Sequence, residues 1–141
     1  MRTTSPFILL PFFLAGSGCA RQSVVLPFPR PVAMTVTLQA LPDFGLAESK
    51  TIEAKEGVLD KVYDLVKPTR ILDGGVNKKI NPLVATIDAY YADGLKTRMY
   101  VRWMGKNPAG VSFDDKQYYW ADGGDRGDGA VDLVRLLTSG R

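Results

Sequence analysis

The stretch from Asn81 to Gly105, NPLVATIDAYYADGLKTRMYVRWMG, carries two β-rich segments joined at Asp93-Gly94, and it constrains the fold more than any other part of the chain. A two-residue loop at Asp93-Gly94 would set Ile87 against Tyr100 and Asp88 against Met99, mixing polar and apolar groups on both faces. A three-residue loop, Ala92-Asp93-Gly94, built as a type I turn with Gly94 as the bulge, sorts them. Leu83, Ala85 and Ile87 then oppose Trp103, Val101 and Met99 on one face, while Asp88 meets Arg98, Tyr90 meets Lys96 and Thr86 meets Tyr100 on the other. A slip of one residue flips every side chain, so the sorted register is the expected one.

The neighbouring segments supply material to extend such a hairpin. Met34 to Leu41 alternates, with Met34, Val36, Leu38 and Ala40 on one face, and Pro42-Asp43-Phe44-Gly45 reads as a turn. Ser49 to Ala54 suits a weaker edge strand. Lys55 to Lys67 carries Val58, Leu59, Val62, Leu65 and Val66 at helical spacing, with acidic residues early, Lys67 late and Pro68 as the stop. Thr69 to Leu72 reads as a short strand, and 73–79 as an exposed, mobile loop. After the loop from Gly105 to Gly110, VSFDDKQYYWA reads as a second hairpin turning at Asp114-Asp115-Lys116. A final helix follows, with Asp128 as N-cap, Val131, Val134 and Leu137 as its buried stripe and Gly140 at its end. The predicted fold is α+β, an antiparallel β-sheet of about five or six strands with two α-helices packed on one face and the other face wet.

The first residues are of a different kind. Arg2, the nine-residue apolar run from Phe7 to Ala15 and the small residues after it have the three parts of an export signal. A stable bilayer-spanning helix needs about 20 apolar residues, and Pro6 and Pro11 weaken a helix here. Leu14-Ala-Gly-Ser-Gly-Cys19 resembles the lipobox of bacterial lipoproteins, with Gly16 where that pattern has Leu and Leu14 two residues earlier. The resemblance covers residues 1–20 and implies that Cys19 is diacylated and becomes the new N-terminus. Cleavage by ordinary signal peptidase after Ala20 is the alternative. Cys19 is the chain's sole cysteine, and acylation removes the hazard of an unpaired exported thiol. The expected organisation is therefore a signal peptide over 1–18, a Pro-rich tether over 19–31 and one α+β domain over 32–141.

With no histidine and one cysteine, Ser-His-Asp and Cys-His catalysis, His-ligated metals, zinc fingers and internal disulfides are excluded. Asp122, Asp125 and Asp128 are a weak calcium candidate, because their spacing of three and the missing bidentate Glu depart from an EF-hand. Arg126-Gly127-Asp128 spells an adhesion tripeptide of little specificity. Paired carboxylates for glycosidic chemistry reduce to Asp114 with Asp115 or Asp122 with Asp125, and adjacent residues at a strand turn point to opposite sides.

The outward hairpin face, Tyr90, Lys96, Arg98, Tyr100 and Arg102, joins aromatic and basic groups that suit an acidic partner or a glycan. A net charge of +3 is too small for a phosphate-dominated binder, so nucleic acid is not expected as a partner. Tyr119 is expected inside, with Tyr118 and Trp120 bordering the last loop. The sequence points to an exported, lipid-anchored, noncatalytic binding or assembly module of the bacterial cell envelope, periplasmic or outward-facing, without a cofactor. Its partners would be the membrane, through the lipid, and an envelope protein or glycan. The alternative is a small carboxylate-dependent envelope hydrolase acting on glycans.

Overall fold

The computed structural model describes residues 28–121 and 129–138. The elements in chain order are β1 (Ala33–Leu38), a 3-10 turn (Pro42–Phe44), β2 (Lys50–Ala54), α1 (Glu56–Val66), β3 (Arg70–Ile71), β4 (Leu83–Tyr90), β5 (Lys96–Arg102), β6 (Ala109–Ser112), β7 (Tyr118–Ala121) and α2 (Gly129–Thr138). They form an α+β fold, as the patterning predicts. Among the described residues the strands form one sheet of seven, in the order β2-β1-β4-β5-β6-β7-β3, slightly more than five or six, and every pairing is antiparallel.

The central hairpin adopts the sorted register: Ala85 faces Val101, Thr86 faces Tyr100, Ile87 faces Met99, Asp88 faces Arg98 and Tyr90 faces Lys96. Its loop is Ala92-Asp93-Gly94, closed by Tyr91 N–H donating to Leu95 O at 3.0 Å, with Gly94 at φ +90°. One expected pair fails. Leu83 faces Arg102 rather than Trp103, because a bulge between Leu83 and Ala85 shifts the ladder at that end.

Strand alternation carries the core face across the sheet. Met34, Val36, Leu38, Ala85, Ile87, Ala89, Met99, Val101 and Val111 are all buried there, beneath the helices. α1 contributes Leu59, Val62 and Val66, while Val58 is exposed. The stripe of α2 is Ala130, Leu133, Val134 and Leu137; Val131 is only half-buried, so the predicted stripe was rotated on the helix. α1 and α2 pack on each other and on β6. Gly129 opens α2 because a Cβ there would come within 2.7 Å of the Ala109 backbone. The proposed cap Asp128 and the end at Gly140 lie outside the described residues.

Two further expectations change. β6 begins at Ala109, inside the predicted loop, since Ala109 pairs with Ala121. The last residues of the expected tether, Phe28 to Pro31, lie on the domain. Phe28 is buried between Tyr63 and Phe113, ring centroids 5.4 and 5.6 Å away, and its carbonyl accepts the Tyr63 hydroxyl at 2.7 Å. A large aromatic ring gains more from burial beside two others than from the extended solvated state that prolines alone suggest. Residues 1–27, with the expected signal peptide and Cys19, lie outside the described residues.

Gly94 and Gly57 make opposite predictions. Gly94→Ala places a Cβ in the left-handed region and should lower stability by about 1 kcal/mol. Gly57, within α1 and with no heavy atom within 4 Å of its would-be Cβ, should gain about 0.5 kcal/mol as Ala. Urea midpoints of the two variants against the parent check both signs.

Candidate functional site

Strand alternation sends Thr35, Thr37, Thr86, Asp88, Tyr90, Arg98, Tyr100, Arg102, Ser112, Tyr118 and Trp120 to the face away from the helices. The predicted binding residues Tyr90, Lys96, Arg98 and Tyr100 are brought together on the β4–β5 part of it. Tyr90 and Lys96 are exposed cross-strand neighbours, and Tyr100 is half-buried. Arg98 is exposed but committed. It grips Asp88 in a two-pronged pair at 2.8 and 3.0 Å, and hydrogen bonding from this guanidinium holds the Asp88 carboxyl below its ordinary range. Tyr90 also lines a depression of about 270 Å³ bordered by Glu53 and Lys55, which form an ion pair at 3.4 Å.

Arg102 does not belong to this surface. It is only 6% exposed, and its guanidinium donates to the Tyr118 hydroxyl at 2.8 Å, to the Asn81 carbonyl at 2.9 Å and to Asp115 at 3.3 Å. It also lies over the Tyr118 ring, 5.9 Å from its centroid. Lys78 closes the far side of Asp115 at 3.0 Å, and the Tyr118 hydroxyl donates to the same carboxylate.

The topology explains why such a cluster is needed. The segment after β3 starts at one sheet edge and must pass β7, β6 and β5 to reach β4. It crosses on the side away from the helices, and Arg102 and Asp115 fasten it there through Asn81 and Lys78. Leu72 packs beneath it, near where a Cβ on Gly110 would sit. That half of the face is therefore covered rather than wet. The loop over 73–79, expected as free, is tied at its second half by the Asn77–Asn81 turn and the Asn81 side chain on the Trp103 carbonyl at 3.1 Å. Tyr118 is buried here, while Tyr119 faces the core as expected.

Burial pushes the Asp115 carboxyl up, but hydrogen bonds from Tyr118 and Lys78 and the charge of Arg102 outweigh it and leave it below its ordinary value. The Tyr118 phenol is pushed strongly up, first by burial and then by Asp115. Asp114 is held low by the Lys116 and Gln117 backbone N–H groups and by Ser112. Both carboxylates of this turn are thus engaged in structure, Asp115 in an αL residue at φ +60°. Asp122, Asp125 and Asp128, the calcium candidate, lie outside the described residues. Among the described residues there is no group of three or more potential metal ligands.

A second concavity escaped the sequence reading. An open cleft of about 420 Å³ lies on the helix side at the tip of the β4–β5 hairpin, walled mainly by Phe28, Pro29, Tyr91, Leu95, Thr97 and Phe113. Its residues come from three distant stretches, and only the exposed Leu95 beside Asp93-Gly94 is an irregularity visible in the sequence. The chain matches no protein-family model, no curated protein and no solved structure.

Arg102→Met leaves the Asp115 carboxylate without its buried cation and should cost about 3 kcal/mol, whereas Arg98→Met, at an exposed pair, should cost under about 1 kcal/mol. The ionised Asp88 and Asp115 contribute stability that is present above the unfolded carboxylate value of about 3.9 and lost as pH falls through their lower folded values. Urea unfolding of the parent should therefore weaken below about pH 4, with Arg102→Met losing part of that acid dependence.

Proposed function

We propose that the chain is an exported, lipid-anchored, noncatalytic module that binds an envelope protein or glycan through the uncovered half of its sheet. The observation that carries this reading is the order of parts. An apolar export-type run from Phe7 to Ala15 is followed by small residues and the lone Cys19, and eight further residues lead to Phe28, which is packed on a folded domain. A signal that resembles a lipobox would place that domain at a bacterial membrane, on its periplasmic or outward side.

With Arg102 buried, the surface that suits a partner is Tyr90, Lys96, Arg98 and Tyr100. Its aromatic faces and outward cation can stack on a sugar ring or meet an acidic loop. Arg98 and Asp88 arrive as a prearranged pair, so binding need not order the guanidinium. The hydrolase alternative draws no support from Asp114 and Asp115: Asp114 Oδ1 accepts from two backbone N–H groups and a serine hydroxyl, and both Asp115 oxygens meet hydroxyl or cationic donors.

Two measurements test the two halves of the proposal. Full-length protein expressed in a bacterium should enter the detergent phase of a cloud-point partition, and Cys19→Ala should abolish this; an unchanged distribution overturns the anchor. A partner captured by the intact chain from envelope extract should be lost with the double variant Arg98→Glu, Tyr100→Ala and retained with Lys61→Glu on α1. Equal loss from both variants overturns the assignment of the face.

A further inference from the structure

We infer that the hairpin-tip cleft and its apolar rim form a lipid-docking surface that rests on the headgroup region of the membrane holding the anchor. This rests on the anchored reading above. Two independent placements converge on it, one of exposed apolar side chains and one of the chain that leads to the anchor.

The first comes from register. Val32 lies just before β1, its N–H donating to Tyr90 O at 2.8 Å, and Tyr91, one residue beyond β4, pairs with Leu95 across the hairpin loop. Tyr91 and Leu95 line the cleft on the helix side, and Val32 sits at the same end of the sheet, bonded to Tyr90. Val32 is 59% and Leu95 66% exposed, and Tyr90, on the opposite face of the same strand end, is 37% exposed. Three of the five large exposed hydrophobic residues among those described therefore sit at one tip. The cleft wall at this tip is mostly aromatic and aliphatic, with Asp93 at its edge.

The second placement is the N-terminal chain. Phe28 and Pro29 are themselves part of the cleft wall, so the described chain begins at its lip. Between Cys19 and Phe28 lie the eight residues from Ala20 to Pro27, which span at most roughly 28 Å when fully extended. An acylated Cys19 thus keeps this lip near the headgroups.

The chemistry of the tip fits that location. Tyrosines with a polar tip and an apolar body favour the membrane–water interface, and Lys96 beside them can reach a phosphate while its stem stays on apolar surface. Asp93 sets the depth. Its carboxylate accepts the Leu95 N–H at 3.0 Å and remains exposed, so the tip settles among headgroups and not in hydrocarbon. An anchored domain meets the surface at high effective concentration, so a contact of this size suffices without binding a membrane unaided. With the tip down, β4 and β5 run away from the bilayer and present Arg98 and Tyr100 to a partner.

The test uses the full-length acylated protein reconstituted in vesicles of phosphatidylethanolamine and phosphatidylglycerol. A polarity-sensitive fluorophore is attached at Leu95→Cys or, as the control, at Ile80→Cys, 63% exposed and at the opposite end of β4. Acylation of Cys19 leaves one free thiol in each variant, and intact mass confirms it. The position-95 probe should shift to the blue, lose quenching by aqueous iodide and gain quenching by headgroup-labelled nitroxide lipid, while the position-80 probe stays open to iodide. An acylated chain in which both probes are equally open to iodide overturns the docking surface alone. Shielding at position 95 that disappears on dilution of protein within the membrane assigns the tip to a second copy and likewise overturns it. Absence of acyl mass on Cys19 overturns the anchored reading, and the docking surface with it.

Discussion

Sliding β4 against β5 by one residue would set Asp88 beside Met99 and Ile87 beside Tyr100, mixing polar and apolar groups on both faces, and that penalty holds the rest of the structure in place. Because the two strands are central in the sheet, their register decides which face α1 and α2 can cover. It also decides where the cross-strand partners of β1 and β6 point. The loop Ala92-Asp93-Gly94 fixes it locally, through the Asp93 carboxylate on the Leu95 N–H and the positive φ of Gly94. Burial of Ile87, Met99 and Val101 fixes it globally. Local turn chemistry and core packing agree, which is what makes a hairpin of this kind a reliable organiser.

From that register follows a division of the open face into two halves with different physics. On the β5–β7 half, the return of the chain from β3 to β4 lays a segment over the sheet, and the buried guanidinium of Arg102 holds it. A buried cation is costly unless its donors are satisfied, and here Tyr118, Asn81 and Asp115 take them up. On the β4–β5 half no described residue crosses, so Tyr90, Lys96, Arg98 and Tyr100 are left at the surface. The same topology leaves the hairpin tip outside the helical layer, which is where the apolar cleft opens beside Phe28.

Alternation and turn chemistry made much of this legible. The hairpin register from Ala85 to Tyr90, the helix ending before Pro68, the edge character of β2 and the α+β class all follow from periodicity that the core obeys. Arg102 shows where that reasoning stops. By alternation it belongs with Arg98, and by alternation it does point to the same face. Only the crossing segment, which arrives from the far edge of the sheet, turns that face from solvent into interior at Arg102. Val131 fails for a related reason: the helical period permits two neighbouring stripes, and contact with α1 and β6 selected the one through Leu133.

The sequence by itself determined the strands, the helices, the turn at Gly94, the side of the sheet each residue faces and the absence of histidine chemistry, because these depend on neighbours a few positions apart. The tertiary structure alone decided which parts of a face stay exposed. Burial at Arg102, Leu72 and Phe28 is set by segments that meet only after the chain has crossed the sheet, and no local pattern records which segment will lie on top.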